Sequence, residues 1–400
     1  MRSSTFLGIS VGAAVLLFVL LRVFGNDYLF FAGYTVLQFI VLATAWNILG
    51  GYCGYVNFGT AAFFALGAYT SVFFHKTYQL PIPVLLVIAA GVSGLVGLGT
   101  GYLTLRLRGA FFAIATLALA VVLQTMVVNW NFVGGSRGAY VIRPNDITIL
   151  GFQIGYIEYL FLIMALLAAA GITAARAIER SKLGYGFATI RDDELAAEAS
   201  GVPTLKLKLI ATTLSGALMG MAGAPFPYYI GYLEPASAFG LPYAVNSIAM
   251  PMIGGTTSWI GPLVGALLLG TLQQIVTVTI SSVVNLLIVG FLLVGFVIIA
   301  PNGIVGLLQE FLRTASPGRV DVRSIGIILF AIYAFVAGLL GIVFSLAVLT
   351  GAGSVGMEMA AAGFVVAALY LVSAYGLMKI QSWSPLMASV AFALSIPIAA

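Results

Sequence analysis

Apolar runs of eighteen or more residues recur along this chain from end to end. As a helix, each is long enough to cross the roughly 30 Å of hydrocarbon in a bilayer. Backbone in lipid must satisfy its own hydrogen bonds, which leaves helices and closed barrels. The runs are too long, and alternate too little, to be barrel strands. Composition agrees. Only 7% of the residues are charged and 62% are hydrophobic, against about 25% charged in a soluble domain. The chain reads as an all-α, polytopic helical transmembrane protein.

Ten spans are expected at about residues 6–24, 28–48, 57–75, 83–105, 110–130, 156–175, 206–226, 240–257, 261–280 and 283–300. Three more are expected at about 324–347, 356–378 and 383–400. The third and eighth are rich in glycine and suit a broken or re-entrant helix as well as a full one. The first run, Met1 to Val23, is too long for a secretory leader and lacks a small-x-small site, so it reads as an uncleaved span. Charge orients the set. Arg106 and Arg108, then Arg176, Arg180, Lys182, Arg191, Lys206 and Lys208, then Arg313, Arg319 and Arg323 all fall on the side of Arg2. The positive-inside rule makes that side cytoplasmic. Residues 131–155, with Arg137 and Arg143, fall outside.

Many chemistries are excluded. One cysteine, Cys53, and one histidine, His75, cannot build an internal disulfide, a cysteine metal site or a histidine cluster. His75, beside Lys76 near a span end, reads as interfacial. The chain has no phosphate-binding G-x-x-x-x-G-K-[ST] loop and no H-E-x-x-H, and no triad can be assembled. Neither catalytic residues nor a cofactor or metal are expected. The net charge of +5 is scattered over short loops, which points away from nucleic acid. No carboxylate can be placed firmly at mid-membrane, where ion-coupled carriers often hold one.

One stretch breaks the apolar pattern. RDDELAAEASGVP, residues 191–203, carries five charges and four of the twelve acidic residues of the chain. Asp192 is a candidate N-cap, with Asp193 and Glu194 in the first turn, where the helix dipole favours negative charge. Leu195, Ala196 and Ala199 share a face at helical spacing. Gly201 and Pro203 end the segment. A helix of two to three turns is expected, from Asp192 to Ser200. It is too short to span and only marginal alone. It reads either as a solvated loop helix or as a helix that docks on a cytoplasmic partner.

The context favours docking. SKLGYGFATIRDDELAAEASGVPTLKLK, residues 181–208, resembles the "EAA" coupling loop of ABC-transporter permeases, in the form carried by branched-chain amino acid permeases of the LivM type. Ser181, Gly184, Ile190, Arg191, Asp192, Asp193, Ala196, Ala197 and Gly201 match the pattern; Tyr185 and Ala188 stand where it has basic residues. NILGGYCGYVNFGTAAFFALGAY, residues 47–69, is similar to the same family's glycine-rich early segment. Arg106-Leu107-Arg108-Gly109, Gly134-Gly135-Ser136-Arg137-Gly138, Met252-Ile253-Gly254-Gly255 with Gly261-Pro262, and Pro301-Asn302-Gly303 match in order. Val133 replaces a threonine of the second. The resemblance covers about residues 28 to 314 and is carried by the set more than by any member.

The resemblance implies the permease subunit of an ATP-driven importer in a bacterial or archaeal cytoplasmic (inner) membrane. It implies a second permease subunit, two cytoplasmic ATPase subunits and an external substrate-binding protein as partners, with ATP hydrolysis on those other chains. Branched-chain amino acids are the implied cargo, with urea and short amides carried by related permeases; a stand-alone secondary transporter is the remaining alternative. Residues 1–314 would form the permease, with its coupling loop at 176–208. Ser181, Gly184, Arg191, Asp192, Asp193, Ala196, Ala197 and Gly201 would engage the ATPase. Polar candidates for the path are Asn47, Asn57, Thr60, Gln124 and Asn246, each also suited to helix packing. Family permeases usually stop near a polar linker like the one at 315–324, so residues 325–400 would be a membrane extension, either accessory or regulatory.

Overall fold

The computed structural model describes residues 3–104, 107, 109–143, 147–149, 152–279, 290, 303–306, 338, 341, 345, 363–370 and 372–373. The expected spans at 283–300, 324–347, 356–378 and 383–400 lie largely outside these residues, as does the linker at 315–324. So do Arg2, Arg106, Arg108, Arg313, Arg319 and Arg323. Packing divides the chain into two compact units: Met1–Leu272 with Asn302–Val305, and Gln273–Pro301 with Gly306–Ala400. The candidate site lies in the first.

Five long helices come first: α1 (Ser3–Phe24), α2 (Asp27–Gly50), α3 (Thr60–Tyr78), α4 (Ile82–Thr104) and α5 (Ala110–Val128). A loop with short antiparallel pieces β1 (Ala139–Tyr140), β2 (Ile147–Ile149) and β3 (Phe152–Ile154) leads into α6 (Tyr156–Glu179). Then come α7 (Lys182–Asp192), α8 (Glu194–Ala199), α9 (Thr204–Gly223) and α10 (Phe226–Ile230). Strand β4 (Tyr232–Leu233) pairs with β1, and β2 with β3. The helices α11 (Pro235–Ala238), α12 (Leu241–Gly254) and α13 (Ile260–Thr279) follow.

Among the described residues, six helical stretches are long and apolar enough to cross a membrane: α1, α2, α4, α5, α6 and the α9–α10 stretch Thr204–Ile230. The third expected span begins late. Residues 51–59 are not helical, and an unbroken 19-residue α3 starts only at Thr60. The eighth is α12, whose 14 residues rise about 21 Å, short of a full crossing.

Helix α2 is the centre of the unit. Its N-terminus is capped by Asn26, whose side chain accepts from Leu29 N at 3.1 Å. Every residue from Gln38 to Leu49 is buried, which is why this stretch is apolar on every side apart from Gln38, Thr44 and Asn47. It packs on α6, α9 and α12, while α1 packs on α6. By contrast α1 buries only Ala14 and Phe18, and α5 only Phe112, Thr116 and Val127. Helix α9 lies against α3 and α4 at glycine contacts: a Cβ on Gly67 would sit 2.0 Å from Gly220 O. Close backbone approach through small residues is how membrane helices gain packing energy where lipid offers no hydrophobic drive.

Candidate functional site

The polar excursion between α6 and α9 folds as two helices. Ser181 caps the first, accepting from Leu183 N at 3.2 Å. Gly184 fits there because a Cβ would lie 2.4 Å from Ile178 O. Phe187 and Ile190 anchor α7 in an apolar cluster with Leu49 of α2, Cys53, Phe112 of α5 and Ala211 of α9. This gathers α7, residues 51–59 and the ends of α2, α5 and α9 at the basic end of the bundle.

The structure corrects the expected cap. Asp192 is the last residue of α7; Asp193, extended at φ −158° and ψ 108°, breaks the chain and caps α8. Asp193 Oδ1 accepts from Leu195 N at 2.9 Å and Ala196 N at 3.1 Å. The local sequence offers two adjacent carboxylates, and the docking of α7 decides between them by extending that helix one residue further. Helix α8 is six residues long, and Gly201, at φ +80°, ends the excursion as expected.

The two faces of α8 differ. Leu195 is 63% exposed, and Ala196 and Ala199 are exposed beside it. Ala197 is 5% exposed and packs inward. It therefore belongs to the fold rather than to the outward face. Arg191 meets Asp192 Oδ1 at 3.3 Å on the surface, a contact of little energetic weight. Its aliphatic stem matters more: a Cβ on Gly54, held at φ +79°, would be 3.0 Å from Arg191 Cγ.

The inner face of α8 is held by residues that the sequence does not single out as a set. Glu194 Oε1 accepts from Lys208 Nζ at 2.7 Å, and Glu198 Oε1 accepts from Thr204 Oγ1 at 2.7 Å. Glu194 and Glu198 are four apart on α8, and Thr204 and Lys208 are four apart on α9. The E-x-x-x-E then T-x-x-x-K spacing was a legible signal, since such pairs share a helix face. The Lys208 side chain is 4% exposed and that of Glu194 is 12% exposed. Nearby, Glu179 Oε2 accepts from Trp259 N at 2.6 Å and from the Tyr52 hydroxyl at 3.3 Å. Burial, and then the Glu179 charge, push the Tyr52 phenol well above its usual range. Arg176 is buried with its guanidinium 4.0 Å from the centre of the Phe6 ring.

Cys53 lies in the same cluster, 1% exposed, and burial pushes its thiol up to about 12. Since the thiolate is the reactive form, native Cys53 should react with maleimide at pH 8 at least about a hundredfold more slowly than after unfolding in SDS. Comparable rates in the two states would contradict this burial.

The five polar path candidates are placed separately. Asn47 is buried in α2, Asn57 in the 51–59 segment and Thr60 at the start of α3. These three lie towards the basic end, with Asn57 Oδ1 accepting from Gly59 N at 2.7 Å. Asn246 is buried on α12. Gln124 is partly exposed near the far end of α5. A cleft of about 470 Å3, lined by Gly54, Tyr55, Gly109, Ala113 and Glu194 among others, opens beside α8. Among the described residues no three His, Cys, Asp or Glu side chains converge to hold a metal.

These features define a multi-pass helical membrane protein with a short helix held at its basic end, apolar on its outer face. Residues 28–297 match the family described as branched-chain amino acid transport system / permease component, and the chain belongs to it. It is 28% identical over 256 residues to the high-affinity branched-chain amino acid transport system permease protein LivM of Salmonella typhimurium, covering 58% of this chain and 59% of that one. The Escherichia coli LivM is 27% identical over the same shares. The probable branched-chain amino acid transport permease protein LivH of Methanocaldococcus jannaschii is 27% identical over 65% of this chain and 87% of its own. The chain thus spans 59% of the length of the two LivM relatives. No solved structure matches.

Proposed function

We propose that this chain is the permease subunit of an ATP-driven importer of the inner membrane, moving branched-chain amino acids or a similar small solute. The observation that carries the reading is α8: its inner face is bonded to α9, while Leu195, Ala196 and Ala199 face outward, exposed among the described residues. That face suits one of two cytoplasmic ATPase subunits. The remaining partners are a second permease subunit and an external substrate-binding protein. The basic end faces the cytoplasm, in keeping with the positive-inside rule. Residues 1–314 form the transporting unit, and residues 325–400, after the linker at 315–324, form an added membrane segment. ATP binding on the partners displaces α8, and the helices respond by exposing the path to one side at a time. Asn47, Asn57 and Thr60 at the basic end are the path residues nearest that movement. The family match and the LivM relatives support the cargo class.

Glu at both Leu195 and Ala199 should abolish co-purification with the ATPase and ATP-driven uptake, and change the unfolding free energy of the chain by no more than surface substitutions do, about 0.5 kcal/mol. Ala197→Asp, by contrast, should unfold the chain itself. Retained assembly and uptake in the double Glu variant would refute the docking role of α8.

A further inference from the structure

One carboxylate joins three segments that are far apart in sequence. Glu194, the first residue of α8, accepts from Lys208 of α9 at 2.7 Å and from the hydroxyl of Tyr55. Lys208 Nζ also lies 3.2 Å from the Tyr55 hydroxyl oxygen and 4.9 Å from its ring centre. Tyr55 belongs to the non-helical segment 51–59, whose far end is also fixed. Trp46 Nε1 of α2 donates to Asn57 O at 2.8 Å, and Phe58 N donates to Thr116 Oγ1 of α5 at 3.1 Å. The segment then runs directly into α3 at Thr60. Gly54 has only enough room for the Arg191 stem against it, so the end of α7 and this segment are in contact with no gap between them.

A buried ion pair contributes little net stability compared with apolar packing, and its best-attested use is to fix register between elements. Here it fixes α8 to two others. Lys208 ties α8 to α9, and Tyr55 ties the same carboxylate to the segment that leads into α3 and touches α5. A displacement of α8 therefore cannot leave residues 51–59 unmoved without breaking a charge-assisted bond in a water-poor setting, where such bonds are strong.

We propose that the Glu194–Lys208–Tyr55 contact is the joint that passes movement of α8 to residues 51–59 and on to α3 and α5, with Tyr55 as the positioning residue. This rests on the reading of the chain as an ATP-driven permease subunit. Tyr55→Phe is the informative variant. It removes one oxygen and keeps the ring that packs edge-on against Phe112 at 5.1 Å, so folding and assembly are retained.

The test uses the reconstituted transporter with its partner subunits. Two probes report position: maleimide labelling of native Cys53, beside the joint, and a fluorophore on Ser200→Cys in a Cys53→Ser background, on exposed α8. In the otherwise wild-type complex, nucleotide should shift the Ser200 probe and change Cys53 labelling about tenfold. In Tyr55→Phe the Ser200 probe should still respond, Cys53 labelling should no longer follow nucleotide, and solute moved per ATP hydrolysed should fall about tenfold. A purely structural role for Tyr55 would lower the amount of folded complex and leave that ratio alone. Unchanged coupling ratio and unchanged nucleotide-dependent labelling in Tyr55→Phe would overturn the joint while sparing the permease reading. A Ser200 probe indifferent to nucleotide in the complex without the Tyr55 change would overturn the permease reading and the joint with it.

Discussion

Lys208→Met is expected to cost about 3–5 kcal/mol, the range found when one partner of a buried ion pair is removed. The Lys208 and Glu194 side chains are 4% and 12% exposed, so the carboxylate left behind is largely shut off from water. The Tyr55 hydroxyl still donates to it, which does not replace a cation. The double variant Lys208→Met with Glu194→Gln should recover more than half of the loss. It removes the stranded charge, and the Gln amide still offers an acceptor to Tyr55. Titration from mild detergent into SDS, followed by tryptophan fluorescence, measures both. If the double variant is as unstable as the single one, or more so, the ion pair is adding net stability and the register account of it fails.

The second large effect is steric. Gly67→Val should cost about 3 kcal/mol or more, at the upper end of what overpacking does. The new Cβ would meet Gly220 O at 2.0 Å and its Cα at 2.7 Å, and hydrogen-bonded helix backbone cannot move aside cheaply. Forcing α3 and α9 apart also strips a neighbouring contact, because Gly223 of α9 packs its backbone on Phe64 of α3. Gly91→Val on α4 is the control. A side chain there meets nothing within 4 Å, so the expected change is within about 0.5 kcal/mol. The same SDS titration separates the two, and equal effects would mean that α3 and α9 do not cross at Gly67.

Gly67 and Gly91 also show where reading the sequence stops. Both are helical glycines in apolar runs, and nothing local marks one as a contact and the other as bare. The same holds for Asp192 and Asp193: either can cap a helix, and only the anchoring of α7 by Phe187 and Ile190 moves the break to Asp193. Ala196 and Ala197 sit side by side, and one faces outward while the other packs inward. Lys206 and Lys208 are two residues apart, and only Lys208 is buried. In each pair the residue types are equivalent and the neighbour across the interface makes the difference.

The sequence by itself determined the class of fold. Apolar runs in a chain with 7% charge leave little besides membrane-spanning helices, because unpaired backbone is too costly in lipid. It also determined the place of the polar excursion, its stop at Gly201 and its likeness to a coupling loop, because capping residues and glycines act over a few neighbours. The tertiary structure alone decided which residues hold that excursion. The contact of Glu194 with Lys208 and Tyr55 spans 153 positions between its outer members. No local propensity encodes that distance; it exists because α2, α5 and α9 end at the same side of the bundle and leave one carboxylate between them.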